Sequence, residues 1–175
     1  MFSVLSSIYH KEHPSHFNAC MESIWDKQTL KPTEIVLIED GPLTPELDQI
    51  IAKWQEKLGT VLRVKKLEKN VGTGKAKNIG LQECTYDIVC IVDTDDIYVP
   101  ERFEKQIKFL EKNPDVSIVG GQIIEFIEDT QNPTGMRNVP LSNKDLRNYA
   151  KKQSPFNNMT ITYRKSHILD VGGYQ

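Results

Sequence analysis

Apolar runs alternate along the chain with stretches in which apolar residues recur every three or four positions. The runs are typical of strands buried in a sheet, and the recurring pattern is typical of amphipathic helices. The predicted strands are the apolar runs Phe2–Ile8, Glu34–Glu39 and Ile88–Val92, and the segment Val61–Leu67, in which apolar and polar residues alternate. A helical pattern follows each strand, and this order predicts an α/β fold with a largely parallel central sheet flanked by helices.

Residues at the helix ends support this interpretation. Pro14, Pro45 and Pro100 suit the first turn of a helix, where a proline loses no hydrogen bond, and Thr44 is a typical N-cap. The third helix is predicted at Gly74–Cys84.

Beyond Pro114 the pattern changes, but no linker divides the chain. Short strands are predicted at Val116–Val119, Gln122–Ile127 and Met159–Tyr163, and a polar loop is predicted at 128–140. We therefore expect one domain over residues 1–175.

Charge is distributed unevenly. The chain carries 22 Lys and Arg against 24 Asp and Glu, a net charge of −2, which gives no case for nucleic-acid binding. Residues 131–175 hold seven basic and two acidic residues, a net charge of +5. This basic part could face phosphate or a membrane surface, or it could simply be a solvated basic face.

Cysteine usage and hydropathy bear on the compartment. Cys20, Cys84 and Cys90 are odd in number and form no CxxC pair, which favours buried thiols in a reducing compartment. No apolar stretch approaches the roughly 18 residues of a membrane span. Phe2 to Ile8 is short for a signal peptide and has no basic start. We therefore expect a cytoplasmic protein.

The candidate chemistry concentrates in the acidic turn Asp93-Thr94-Asp95-Asp96, which follows a buried strand. Ligands of parallel sheets bind beyond the carboxyl ends of the strands. Three neighbouring carboxylates there raise one another's pKa unless a cation or proton compensates them, and their oxygens suit Mg²⁺ or Mn²⁺. The interpretation is a metal–diphosphate site. The alternative is an ordinary turn in which Asp is favoured by local geometry.

The Gly-rich segment 70–78 offers backbone N–H groups and two lysines at a helix start, which suits an anionic phosphate. Its spacing matches neither a Walker A loop nor a dinucleotide fingerprint. A flexible loop capped by glycines is the alternative.

Together these segments resemble family 2 glycosyltransferases of the bacterial polysaccharide type, which have a GT-A fold. The segments that carry the resemblance are Ser3–Tyr9, Glu34–Gly41, Asn70–Gly72 with Ala76–Asn78, and Asp93–Asp96 with Val99–Phe103. Ser7-Ile8 stands where the family usually has proline-threonine.

The resemblance implies roles for individual residues. Asp40 would hydrogen-bond the base, taken as uracil, and Tyr9 would lie against it. Asp95 would be the metal ligand together with Asp93, holding Mn²⁺ or Mg²⁺. The donor-binding residues implied in this way are Ile8, Tyr9, Asp40, Gly72, Lys75, Lys77, Asp93 and Thr94.

The implied function is transfer of a sugar from a nucleotide diphosphate donor to a glycan or lipid-linked saccharide, with inversion, in cell-surface polysaccharide synthesis. A peripheral contact with the inner face of the cell membrane would suit such an acceptor. The resemblance assigns residues 1–115 to nucleotide-sugar binding and 116–175 to an incomplete acceptor side.

The general base is expected outside this chain. In the family it lies in an acidic motif after a Gly-Gly-aromatic segment. Gly172-Gly173-Tyr174 matches that segment, so the base would lie beyond Gln175. The chain is therefore expected to be truncated and poorly active.

Two other functions stay open. A nucleotide-sugar-binding module without turnover would need the same donor residues. A haloacid-dehalogenase-type phosphatase would use Asp93 as nucleophile, although its motif normally follows the first strand of the domain.

Overall fold

The predicted alternation of strands and helices is confirmed by a computed structural model, which describes residues 1–127 and 130–174. The parallel strands are β1 (Ser3–Ile8), β2 (Glu34–Glu39), β3 (Leu62–Lys66) and β4 (Ile88–Asp93). The helices that follow them are α1 (Pro14–Ile24), α2 (Pro45–Leu58), α3 (Thr73–Glu83) and α4 (Arg102–Lys112).

The main sheet has six strands in the order β3-β2-β1-β4-β8-β5, where β5 is Ile118–Val119 and β8 is Thr162–Arg164. The first four run parallel, in registers such as Leu5↔Val36 and Leu5↔Ile91. The two short strands β5 and β8, from later in the chain, complete the sheet. Strand β8 is antiparallel to both β4 and β5. The carboxyl ends of β1, β2 and β4 therefore meet at one edge.

Apolar side chains cover both faces of the sheet. Phe17, Met21 and Trp54, from α1 and α2, are buried on one face. Ala76 and Leu81 of α3 are buried on the other. Helix α3 packs closely, because a Cβ at its Gly80 would collide with Leu5 and Ile38 of the sheet. This packing fixes the start of α3 against the ends of the strands.

Helix α2 shows how local sequence sets the boundaries. The Thr44 hydroxyl accepts a hydrogen bond from the backbone N–H of Leu47 at 3.3 Å, and Pro45 occupies the first turn. Gly59 caps the end of the helix, and its φ of 55° suits glycine.

The later part of the chain departs from the predicted pattern in two places. The predicted polar loop 128–140 contains strand β7 (Pro133–Arg137), which pairs with β6 (Ile123–Phe126) as a hairpin. Residues 128 and 129 of that loop lie outside the described residues. The strand predicted at Met159–Tyr163 begins as a 3-10 turn, so β8 starts only at Thr162.

Two short helices complete the described chain, α5 (Asn143–Tyr149) and α6 (Lys165–Asp170). The three cysteine thiols are free and buried, as predicted. No helix within 1–127 or 130–174 combines the length and the apolar character needed to cross a membrane. The division of function at residue 115 stays a prediction.

Candidate active site

A cleft of about 380 Å³ lies at the carboxyl ends of β1, β2 and β4, where ligands of such sheets bind. Its lining residues are Ser7, Ile8, Tyr9, Glu12, Asp40, Asn70, Gly72, Thr73, Lys77, Asp93, Thr94, Asp95 and Asn158. Eight of the nine residues predicted for donor and metal binding are among them. The exception is Lys75, which lies exposed on α3 away from the lining. The individual roles of all nine stay predictions.

Lys77 and Asp93 form an ion pair at the floor of the cleft. The Lys77 ammonium lies 2.7 Å from Oδ1 of Asp93, and its side chain is only 2% exposed. Buried lysines are rare unless they are paired. Helix α3 carries Lys77, and β4 ends at Asp93, so the pair joins the Gly-rich segment to the acidic turn.

The acidic turn is anchored through its backbone. The Asp93 N–H donates to the Tyr98 hydroxyl at 2.8 Å, and that hydroxyl donates to the Asp93 carbonyl at 3.2 Å. The Thr94 hydroxyl donates to the Glu12 carboxylate. These bonds leave the Asp95 side chain exposed at the cleft.

Asp96 lies behind the turn in a less polar environment. Its Oδ2 is buried and has no hydrogen-bond partner among the described residues. Burial raises the pKa of Asp96 from its ordinary 3.8 to about 6, and the negative charges of Asp95 and Asp93 add to the effect. The turn therefore holds more negative charge than the protein compensates.

Asp40 holds the loop on the other side of the cleft. Its two carboxylate oxygens accept hydrogen bonds from the backbone N–H groups of Val71 at 2.7 Å and Gly72 at 3.1 Å. Gly41 follows with a φ of 89°, and a Cβ there would come within 2.7 Å of the Asn70 nitrogen. Each carboxylate oxygen can accept more than one hydrogen bond, so Asp40 retains acceptor capacity for a ligand.

Sequence reasoning missed several lining residues, including Glu12 and Asn158. Glu12 sits in a turn after β1 and accepts bonds from Thr94 and from the His13 N–H at 2.7 Å. Its position three residues after Tyr9, at the end of the first strand, was the available signal. Asn158 comes from a 3-10 turn distant in sequence, and no local pattern marks it.

The acidic turn offers carboxylate oxygens to a cation. Among the described residues no group of three or more His, Cys, Asp and Glu side chains is placed to hold a metal. One or two carboxylates suffice where phosphates and water complete the shell. Asp95 is exposed, and Asp93 has one oxygen outside its ion pair with Lys77. With the uncompensated charge near Asp96, these two residues fit a hard divalent cation.

A second cleft, of about 420 Å³, lies beside α3 and is lined by Asn78, Ile79, Gln82, Leu169, Gly172 and Gly173. Among the described residues that line it there is no carboxylate or ammonium group, so it suits a metal-bound diphosphate less well than the first cleft does.

Comparison with known proteins agrees with this arrangement. The sequence pattern of "Glycosyl transferase family 2" matches residues 3–172. The chain belongs to this family. It is 44% identical over its whole length to the amylovoran biosynthesis glycosyltransferase AmsE of Erwinia amylovora, of which it spans 64%. It is 39% identical over 99% of its length to an Escherichia coli UDP-Gal:alpha-D-GlcNAc-diphosphoundecaprenol beta-1,3-galactosyltransferase, of which it spans 62%. The chain thus covers somewhat less than two thirds of these relatives.

Solved structures show the same fold. The S. aureus TarS fragment 1–349 in complex with UDP superposes with a TM-score of 0.72 and 25% identity, over 99% of this chain and 49% of that one. A mannosyltransferase from Pyrobaculum calidifontis, in complex with GDP-Man and Mn²⁺, superposes with a TM-score of 0.70 and 17% identity, over 99% of this chain and 47% of that one. The chain therefore has a GT-A glycosyltransferase fold.

Proposed function

We propose that the cleft binds a uridine diphosphate sugar together with a divalent cation, and that the protein transfers the sugar to a lipid-linked saccharide. One observation carries the proposal: Asp40 and Asp95, from two different strand ends, line the same cleft in a member of glycosyl transferase family 2. Two similar proteins support the choice of ligands, since the TarS structure holds UDP and the Escherichia coli galactosyltransferase uses UDP-Gal and a diphosphoundecaprenol-linked acceptor.

The donor's base would lie between Tyr9 and Asp40. Tyr9 directly follows β1 and is 44% exposed, so its ring is accessible to a base. The carboxylate of Asp40 would accept a hydrogen bond from N3–H of uracil, a donor that cytosine lacks. The Gly-rich loop that Asp40 holds, with Gly72 at its tip, would then flank the nucleotide.

The diphosphate would lie over the acidic turn. Asp95, with Asp93, would hold Mn²⁺ or Mg²⁺ there, and the bound cation would supply positive charge to the departing nucleoside diphosphate. Lys77 holds the Asp93 carboxylate in place through their ion pair.

None of the cleft carboxylates is assigned as general base for an inverting attack. Asp40 holds the loop, Asp93 is paired with Lys77, and both oxygens of Glu12 accept hydrogen bonds. Asp95 would be occupied by the cation. A role in cell-surface polysaccharide synthesis follows from the amylovoran relative and is part of the proposal.

The test is incubation with a panel of UDP-, GDP- and CDP-sugars, with Mn²⁺ and a GlcNAc-diphospholipid acceptor. The expected result is release of UDP that depends on one UDP-sugar and rises with acceptor. Hydrolysis of an aryl phosphate in place of a UDP-sugar would favour the phosphatase. Tight UDP binding without turnover, also in the protein extended to the length of its relatives, would favour the binding module.

A further inference from the structure

The hairpin of β6 and β7 presents apolar side chains to solvent. Ile124 and Met136 are direct cross-strand partners, and each is 61% exposed. Leu141, a few residues after β7, is 89% exposed. Large apolar groups exposed on neighbouring strands and turns commonly mark an interaction surface.

Basic residues follow directly along the chain. Leu146 and Tyr149 of α5 are half-buried, whereas Lys144, Arg147 and Lys151 lie exposed at spacings of three and four. Lys151 lies just past the end of α5, but the backbone N–H groups of Lys152 and Gln153 donate to the Tyr149 carbonyl and continue the helical turn there. The spacing therefore puts the three cations on one side of the helix.

These cations are not neutralised within the described chain. No carboxylate of residues 1–127 or 130–174 lies within ion-pair distance of Lys144, Arg147, Lys151 or Lys152. Residues 131–174 carry seven basic and two acidic residues, a net charge of +5 in a chain whose total is −2. The positive charge is therefore local and is available to an anionic partner.

Hydrogen bonds connect the hairpin to the segment that precedes α5 and to the residue before Asn158 of the cleft. The Gln122 side chain bonds the backbone of Val139 through its Nε2 at 2.8 Å and its Oε1 at 2.6 Å, which holds the segment leading to Leu141 beside β6. The Asn157 side chain donates to the carbonyls of Gly121 at 3.0 Å and Arg137 at 3.3 Å. Its neighbour Asn158 lines the cleft.

We propose that this basic–apolar surface docks the protein on an anionic lipid bilayer. Its members are Ile124, Met136, Leu141, Lys144, Arg147, Lys151 and Lys152. The apolar side chains would enter the headgroup region while the cations meet lipid phosphates. A nucleic acid fits less well, because the remaining surface is acidic and the exposed apolar groups would gain nothing. Docking on the bilayer would also bring the cleft close to a lipid-borne acceptor, and only this consequence rests on the proposed function.

Sedimentation with phospholipid vesicles tests the surface. Wild-type chain is expected to bind vesicles of phosphatidylcholine with about one third phosphatidylglycerol, not phosphatidylcholine alone, and to release between about 50 and 300 mM salt. The triple variant K144Q/K151Q/K152Q is expected to bind roughly 100-fold more weakly, since each cation near the bilayer strengthens binding about fivefold. The matched variant K53Q/K105Q/K112Q removes three exposed lysines from elsewhere and is expected to bind nearly as wild type.

Loss of the apolar pair in I124S/M136S is expected to weaken the binding by about tenfold. Equal binding to neutral and anionic vesicles, or equal losses in the two lysine variants, would overturn the proposal. A dimer that I124S/M136S dissociates, without vesicle binding by wild type, would assign the surface to a second copy and would also overturn it. UDP titration of each variant separates the two proposals, because donor binding is expected to be unchanged in all of them.

Discussion

The ammonium group of Lys77 lies 2.7 Å from the carboxylate of Asp93 and is almost completely buried beneath the acidic turn. Each residue has a defined place, Lys77 in the first turns of α3 and Asp93 at the end of β4. The pair makes the position of the acidic turn depend on the helix that follows the Gly-rich loop.

Replacing Lys77 by Met is expected to lower the free energy of unfolding, because Asp93 is left without its cation beside Asp95 and Asp96. The loss should be roughly 1–3 kcal/mol, less than for a fully buried pair because 29% of the Asp93 side chain is exposed. Urea unfolding with EDTA present measures it. Lys75→Met, on the exposed side of the same helix, should change stability by at most about 0.5 kcal/mol. Equal losses in the two variants would remove the special role of the pair.

The pH dependence of stability should report Asp96. Its folded-state pKa is raised to about 6, so between about pH 4 and 6 the folded protein binds more protons than the unfolded chain. The contribution of Asp96 to stability is therefore present at low pH and is lost as the pH rises through 6. The Asp96→Asn variant has no titrating group at this position. Its free energy of unfolding is expected to rise relative to that of wild type by about 1 kcal/mol between pH 4 and 7, a value reduced for partial solvent exposure.

The measurement is chemical unfolding of metal-free protein across this range. Asp115→Asn, at an exposed position, serves as the control and should show a difference from wild type without this trend. A constant difference between Asp96→Asn and wild type would contradict the assignment.

The fold was largely predictable because β1, β2 and β4 are local apolar runs and the segment of β3 alternates between apolar and polar residues. Helix α2 shows this best, since Thr44, Pro45 and Gly59 mark both its ends in the sequence. The place of β8 between β4 and β5 was not predictable, because it depends on pairing between segments more than 70 residues apart, such as Cys90 with Thr162.

The site was predictable where it follows strand ends and not elsewhere. Asp40 and Asp95 follow apolar strands, so sheet geometry brings them together. The burial of Lys77 has no local signal, since a helix lysine is ordinarily exposed and only the distant Asp93 makes burial tolerable. The prediction of a polar loop at 128–140 was wrong over β7. Pro133 and Gly135 are residues typical of loops, but an exposed edge strand tolerates them.

Asn78 is expected to protect the backbone of the Gly172–Tyr174 segment from hydrogen exchange. Its Oδ1 accepts the Tyr174 N–H at 2.7 Å, and its Nδ2 donates to the Tyr174 carbonyl. In Asn78→Ala, hydrogen exchange at the Tyr174 amide should accelerate by about tenfold, the equivalent of one hydrogen bond. Gln82→Ala removes a neighbouring side chain of the same cleft and should leave the exchange rate unchanged.

Asp40→Ala should weaken UDP binding and reduce the preference for UDP over CDP. Loss of a hydrogen bond to the base costs on the order of 1–3 kcal/mol, or about 5- to 150-fold in affinity. Since Asp40 also holds Val71 and Gly72, a loop effect alone would weaken both nucleotides equally. Competition titrations decide between the two roles. Asn70→Ala, which removes a donor to the Asp40 carbonyl, is the control for loop disturbance.

The most direct test of the account is calorimetric titration of UDP in the presence of Mn²⁺, for wild type, Asp95→Ala and Asp115→Ala. Wild type and Asp115→Ala, which alters an exposed aspartate outside the cleft, should bind UDP alike, and EDTA should weaken both. Asp95→Ala should bind at least about tenfold more weakly, and EDTA should change its affinity little, because the cation loses its exposed ligand. Wild-type affinity in Asp95→Ala, or wild-type binding that is indifferent to Mn²⁺, would contradict the assignment of this cleft as a metal-dependent nucleotide-sugar site.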